Sequence, residues 1–511
     1  MANRQNLFRS NPPIICCILL IACSLTGCGV ARSSFDPNKK FSPQQLDKDY
    51  TIFQTILEQN HPGLYWWTSR DSMDYYFNWG REKIKDSLTE PQFKNILSYV
   101  LAKVDCGHTT ARLSKKYSKY LDTLRAENFF PLSLKLWDDT AVVAVNLHRR
   151  DTLLKRGTVI QSINNRSVKQ ITDTIFKYIS SDGYNITHKN QVLSNRGSFG
   201  SLYTSLFGMT PGYSIEYLDS AGKKHSVITS VYDPARDSLN RAAIRQFIRP
   251  SKKQQRKLRL QSARSLKIDT ASATAFLEIN SFGRGYDLRK FFKNSFRTLN
   301  KNKVQYLIID VRTNGGGSVN NSTFLSKYLA DHKFKISDSL YAINRHSHYG
   351  HYINKYFFNK LFMWFFTKKK KDGHYHFGYF ERHYFSPKTK YRFNGKSYIL
   401  IGGNSFSATT LFVHSVINQN NVTVVGEETG GGAYGNTAWL IPDVKLPETK
   451  VEFRLPLFRL VMDKDQSKTG RGIQPEVESK PTVEAIRRNQ DYKLDKVFEL
   501  INADKRSSIK N

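Results

Sequence analysis

Ser407 lies in residues 402–432, GGNSFSATTLFVHSVINQNNVTVVGEETGGG, directly after the apolar run 397–401. That run reads as a buried strand, and Leu411, Phe412, Val416 and Ile417 then recur near helical spacing. A serine at such a strand-to-helix turn can cap the helix. It can also act as a nucleophile, its oxygen lifted clear of the sheet beside free N–H groups that stabilise an oxyanion. Nucleophilic chemistry needs a base. His108, one of 13 histidines, sits in residues 104–110, VDCGHTT, where helical sequence gives way to strand-like sequence. Its ordinary pKa suits proton transfer near neutrality; the plainer reading is a hydrogen-bonded structural histidine. Cys106 is a rival nucleophile, and an extended chain would point it the same way as His108. It ranks below Ser407 because no oxyanion-forming turn stands beside it. A third motif, residues 312–318, RTNGGGS, follows the buried strand 304–311. Three glycines let backbone approach a ligand and turn N–H groups inward. No Lys-Ser/Thr pair follows them, so a P-loop is excluded and an oxyanion site or a tight turn remains.

The elements that must hold these residues form a consistent pattern. A strand at 275–279, a helix at 287–300 and a strand at 304–311 predict a βαβ unit and an α/β core with parallel strands. Beyond Ser407, strands are expected at 422–425, 438–441 and 451–457, a turn at 470–476, and a closing helix at 491–502. Upstream, helical patterns at 43–60, 72–87 and 90–103 predict a helical domain. Residues 129–233 change to short strand-like runs, 141–145 and 158–163, with a helix at 170–179. Within them LLKRGTVIQSINN (153–165) has the look of a PDZ strand, turn and strand, a module that takes up a peptide at a sheet edge. Residues 236–267 are strongly basic and lack glycine, which predicts a solvated linker or exposed helix. Residues 345–392 are an aromatic and basic insertion, read first as a packed excursion with a solvated lysine turn. The alternative is a lid, or a surface resting on anionic headgroups.

With 511 residues the chain is long enough for two or three domains, and 13% aromatic and 39% hydrophobic residues argue against general disorder. The net charge of +35 favours anionic surroundings, yet no compact nucleic-acid motif is present. Residues 1–27 carry Arg4 and Arg9, then an apolar stretch too short for a comfortable span, which suits a signal peptide. Leu25-Thr26-Gly27-Cys28 resembles a bacterial lipobox. By that resemblance Cys28 is lipidated, residues 28–40 are a tether, and the mature chain belongs to the bacterial envelope, anchored to a membrane. Of five cysteines only Cys106 is then left, so neither an intrachain disulfide nor a cysteine metal cluster is expected.

Three segments together resemble the tail-specific, or C-terminal processing, serine peptidase family, which includes the tricorn core. They are 105–108, 310–317, and 404–410 followed by Gly426-Glu427-Glu428-Thr429-Gly430; Gly472-Ile473-Gln474-Pro475-Glu476 matches the family's closing turn. The resemblance spans roughly 41–501. It implies a crotonase-like α/β peptidase core at 268–502, carrying the insertion 345–392. A helical domain at 41–115 and a PDZ-like domain at 129–233 precede it. It implies Ser407 as nucleophile and oxyanion donors at Ala408 and Gly316. No lysine follows the glycines after Thr429 until Lys445, so the serine–histidine version of the family fits, with His108 as base. Thr410 stands where the family often has glutamate, and Lys468-Thr469 where an acidic partner would precede the closing turn. Glu427, Asp465 and Asp463 are the candidates to orient His108.

The expectation is therefore a membrane-anchored serine endopeptidase acting on protein or peptide substrates through an acyl-enzyme, with no metal or organic cofactor and no nucleic-acid partner. The alternatives are a peptide-binding protein of the same fold without catalysis, and a membrane- or polysaccharide-associated structural protein.

Overall fold

Alternation of apolar residues between two faces organises the core of the computed structural model, which describes residues 35–124, 128–238 and 250–510. Six strands form one sheet in the order Arg264–Asp269, Thr274–Ile279, Tyr306–Asp310, Lys396–Ile401, Val422–Gly426 and Val477–Glu478. The first pair is antiparallel and the others are parallel, with Ile309 opposite Ile399 and Ile399 opposite Val424. Leu307, Ile309, Ile399, Ile401 and Val424 point to one face, against Phe292 and Phe296 of the helix Leu288–Lys301 and Phe412 of the helix Ala408–His414. Tyr306, Ile308, Tyr398, Leu400 and Val425 point to the other, against Val497 and Ile501 of the helix Tyr492–Lys510. A parallel sheet covered on both faces needs such continuous apolar strands, and the expected α/β core is found.

The middle segment is an antiparallel sheet with neighbours in the order Leu132–Trp137, Thr140–Asn146, Val159–Ile163, Gly212–Leu218 and Lys224–Ser230. It packs with the helices Val168–Phe176, Ile186–Ser194 and Ser198–Phe207 around Leu134, Ile163, Ile171, Phe199 and Tyr213. Just beyond the two outer strands, Phe129 and Tyr232 exchange backbone hydrogen bonds of 2.8 and 2.9 Å. Along the free edge of the outer strand Leu132–Trp137 the N–H of Leu136 donates to Ser194 Oγ at 2.8 Å.

The first helices, Pro43–Asn60, Arg70–Glu82 and Glu90–Ala102, do not bury a core of their own. Leu46, Tyr50, Phe53 and Leu97 share one cluster with Leu340, Phe380, Val444, Phe453 and Leu460. Asp49 fastens the two ends: fully buried, it accepts from the N–H of Glu448 at 2.9 Å, the N–H of Thr449 at 2.8 Å and Thr449 Oγ1 at 2.7 Å.

Several expectations are corrected. Residues 264–269 form an edge strand, although the basic run hid it; the helix Lys252–Ala263 before them is exposed, as expected. No strand forms at 438–441, where Trp439 and Leu440 adopt left-handed φ values of 67° and 49°. The insertion is only partly packed: its helix Tyr356–Phe366 buries Asn359 and Met363 and leaves most of its aromatic rings in solvent. The signal segment 1–27 and Cys28 lie outside the described residues. No helix among the described residues is long and apolar enough to cross a membrane.

The Asp49 clamp yields a direct expectation. Asp49→Ala strands three buried donors and should lower stability in urea by about 2–3 kcal/mol with an unchanged denaturant slope. The exposed Asp86→Ala should change it by less than about 0.5 kcal/mol.

Candidate active site

Ser407 stands past the carboxyl end of the strand Lys396–Ile401 and immediately before the helix Ala408–His414, with φ 59° and ψ −121°. This is a costly backbone for a residue with a Cβ, and it persists only where its surroundings over-determine it. They do. Ser405 Oγ donates to the carbonyl of Val311 at 2.9 Å, while the Phe406 N–H and Thr409 Oγ1 donate to the carbonyl of Asn314 at 3.2 and 2.9 Å. Gly316, at φ 98°, lies so close that a Cβ there would sit 2.7 Å from Ser407 Cβ. The glycine run and the serine turn are thus locked together, as the spacing of strand and glycines suggested.

Ser407 lines a cleft of about 480 Å³, with Gly317, Asn436, Phe362, Phe377, Phe380 and Trp439 among its walls. Asn436 is buried and both atoms of its amide lack a hydrogen-bond partner. Nothing in the sequence singled it out.

His108 is held between the helix Glu90–Ala102 and the strand Ala111–Arg112, which pairs with Glu452–Arg454. Thr89 and Gln92 form a capping box that starts this helix, and Phe93, Leu97, Val100 and Leu101 bury its inner face. The segment at Cys106–His108 is a turn, not the extended chain expected. The His108 ring is buried against the ring of Phe406, centroids 4.7 Å apart, and neither ring nitrogen has a hydrogen-bond partner. No hydrogen bond joins it to Ser407. The nearest acidic group is Asp182, whose Oδ1 is 4.0 Å from His108 Nδ1. Asp182 comes from the loop before the helix Ile186–Ser194 and accepts from the N–H of Gly107 at 2.8 Å and of Gly432 at 3.3 Å. Burial pushes Asp182 up to about 7. Burial, then the positive charge of Arg454, drives His108 down to about 3, so its imidazole is neutral at neutral pH.

The acidic candidates chosen from the sequence lie elsewhere. Glu427 pairs with Lys493 at 2.6 Å, and its charge is taken up there. Asp465 is exposed on a loop, where its N–H donates to Asp463 Oδ1. Asp182 was missed because a single carboxylate in a polar turn of another sheet carries no local signal. The two expected oxyanion donors divide. The N–H of Ala408, at the helix start, has no acceptor among the described residues. Gly316 is corrected: its N–H donates to Asn314 Oδ1 at 2.9 Å. Gly317, exposed in the cleft beside Ser407, has an N–H without an acceptor among the described residues.

Cys106 is buried and its thiol is pushed up to about 11, chiefly by burial, so it is not a thiolate nucleophile. Cys106, His108 and Asp182 each offer a ligand atom within 4.8 Å of the others, a donor set that could take a zinc ion. Two of the three already have partners: Asp182 its backbone donors, and Cys106 the hydroxyls of Thr109 and Thr437.

The remaining sequence motifs are structural. Glu428 receives Arg471 through two hydrogen bonds of 2.9 and 2.6 Å and the N–H of Gly472 at 2.7 Å. Thr429 Oγ1 accepts from the N–H of Ile473 at 2.8 Å. This ties the closing turn to residues 426–430 and sets the following Gly432 on Asp182. Arg312 bridges Asp310 and Asp491 at the mouth of the glycine loop.

Residues 273–479 match the family model for peptidase family S41. Mature CPAF complexed with lactacystin is a structural neighbour at 14% identity and a TM-score of 0.62, over 90% of this chain and 99% of that one. The photosystem II D1 C-terminal processing protease is a second, at 13% identity and a TM-score of 0.39, over 88% of this chain and 97% of that one. Only the first supports a shared fold. No curated protein matches the sequence. The match over residues 273–479 includes the serine turn and the glycine run, so this part of the chain is similar to peptidase family S41.

Proposed function

We propose that the chain is an endopeptidase whose Ser407 attacks a peptide carbonyl, with His108 as general base and Asp182 as the group that orients it. The observation that carries this reading is the strained serine turn, braced by the glycine run and facing the cleft. Ser407 Oγ forms the new bond to the carbonyl carbon and its proton passes to neutral His108. The N–H groups of Ala408 and Gly317 hold the oxyanion, His108 returns the proton to the leaving amine, and water releases the acyl-enzyme. The hydrogen bond between Ser407 and His108 forms on substrate binding, by side-chain rotation beside Phe406. Apo active sites often hold such bonds long. Asn436 donates to and accepts from the substrate backbone, and the aromatic cleft favours large apolar side chains.

In this reading Cys28 carries a lipid, and residues 28–40 tether the enzyme to a membrane of the bacterial envelope. The reading keeps the divisions 41–115, 129–233 and 268–502 as proposed segments, the first of which shares its core with residues 444–462. The middle sheet is PDZ-like, although Ser194 covers part of one edge that an added peptide strand would need.

Three measurements test the site. A fluorophosphonate probe should label the wild-type protein and leave Ser407→Ala unlabelled; equal labelling of both, or none of either, would mean that the fold persists without this nucleophile. The pH profile of kcat/KM should rise through about pH 7, because ionised Asp182 holds the imidazolium while His108 itself stays neutral. Asp182→Asn should remove that limb and lower kcat on the order of 10²-fold. Asn436→Ala should raise KM about tenfold, the equivalent of one lost hydrogen bond.

A further inference from the structure

The helix Tyr356–Phe366 carries its apolar face outward. Phe357, Phe358, Trp364, Phe365 and Phe366 are between 58% and 69% exposed, and Leu361 is 41% exposed. Positions 357, 358, 361, 364 and 365 recur at three- and four-residue spacing, so they make one stripe. A helix that packs on its own protein normally shows the reverse arrangement. The helix is nevertheless firmly seated. Met363 and Asn359 are buried beneath it, Asn359 Nδ2 donates to the carbonyl of Asn354 at 3.1 Å, and Arg345 Nε donates to Thr367 Oγ1 at 3.0 Å. Its apolar stripe is displayed, not left over from poor packing, and patches of this kind mark interaction sites.

Charge identifies the occupant. Lys355 and Lys360 are exposed on or beside the helix, and Lys368, Lys369, Lys370 and Lys371 follow it. Among the described residues only Lys370 of these is ion-paired, to Glu381 at 2.6 Å. A second copy meeting this face would bring two such lysine clusters together. A surface with an apolar interior and anionic headgroups accepts both features: aromatic rings enter to the acyl boundary while lysines stay at the phosphates. Tryptophan favours that depth.

We infer that the stripe Phe357–Phe365 docks on an anionic phospholipid surface, a contact separate from any lipid on Cys28. Phe362 of the same helix lines the cleft with Ser407, so docking brings the cleft mouth to headgroup level. Polypeptide held at that surface is then the favoured substrate class, a clause that rests on the peptidase reading above.

The test uses the full chain carrying Cys28→Ser and vesicles of phosphatidylglycerol and phosphatidylcholine with brominated acyl chains. Tryptophan emission should be quenched on these vesicles. Trp364→Phe should abolish that quenching while the protein still sediments with them. Phe357→Ser/Phe358→Ser/Phe365→Ser should weaken vesicle binding about tenfold or more, with unchanged circular dichroism and an unchanged rate on a free peptide. Quenching that survives Trp364→Phe overturns the inference, as does full affinity in the triple variant. So does a concentration-dependent dimer that the triple substitution dissolves, with no vesicle binding. A lipid-tethered peptide should be cleaved faster than the same peptide free, and the triple variant should lose that advantage. If neither peptide is cleaved by the wild type, the peptidase reading fails while docking still stands or falls on the quenching.

Discussion

The site depends on one close approach of two backbones. Gly316 and Ser407 lie on turns after parallel strands that are neighbours in the sheet, and there is no room between them for a methyl group. Each turn stabilises the other. Asn314 receives two hydrogen bonds from the serine turn on its carbonyl, while its side chain holds the N–H of Gly316 and donates to the carbonyl of Ile279 at 3.0 Å. A left-handed φ at a serine would be unaffordable in a free loop. Here the sheet fixes the spacing of the two turns before any side chain is considered, and the strain becomes a fixed feature of the fold.

His108 and Asp182, the base and orienting group proposed above, come from distant parts of the chain. His108 hangs between a helix of the first segment and a strand pairing with residues near 452. Asp182 reaches in from the middle sheet's helical side and is held by amides on either flank, one beside His108 and one at the end of the glycine motif that follows Glu428. The Glu428–Arg471 fork keeps that second amide in place. A carboxylate and an imidazole from two segments thus meet at 4.0 Å, and the imidazole stacks on Phe406, the residue before Ser407.

This explains what the sequence could and could not reveal. Strong local patterns gave the core: the apolar strands before Gly315 and Gly402, the amphipathic helix Leu288–Lys301, and the capped helix Glu90–Ala102 all lie close to where periodicity placed them. Ser407 and the glycine run were legible because strand, turn and helix leave signatures in consecutive residues. Asp182 and Asn436 were not, since each is a lone polar residue whose environment is made by tertiary contacts. The strand Arg264–Asp269 was obscured by its charges, which an edge strand tolerates. Gly316 is the donor expected from the glycine run, but only the position of the Asn314 side chain reveals that its N–H is already engaged.

The shared core of the first helices and residues 444–462 has a consequence for biogenesis. The shelf on which His108 rests is completed by Phe453 and its neighbours, which leave the ribosome, and any export channel, near the end of synthesis. A nascent chain that has exposed His108 still lacks Ser407, and one that has just added Ser407 still lacks the final helix that closes the far side of the sheet. Assembly order by itself brings these parts of the site together only when the chain is nearly complete.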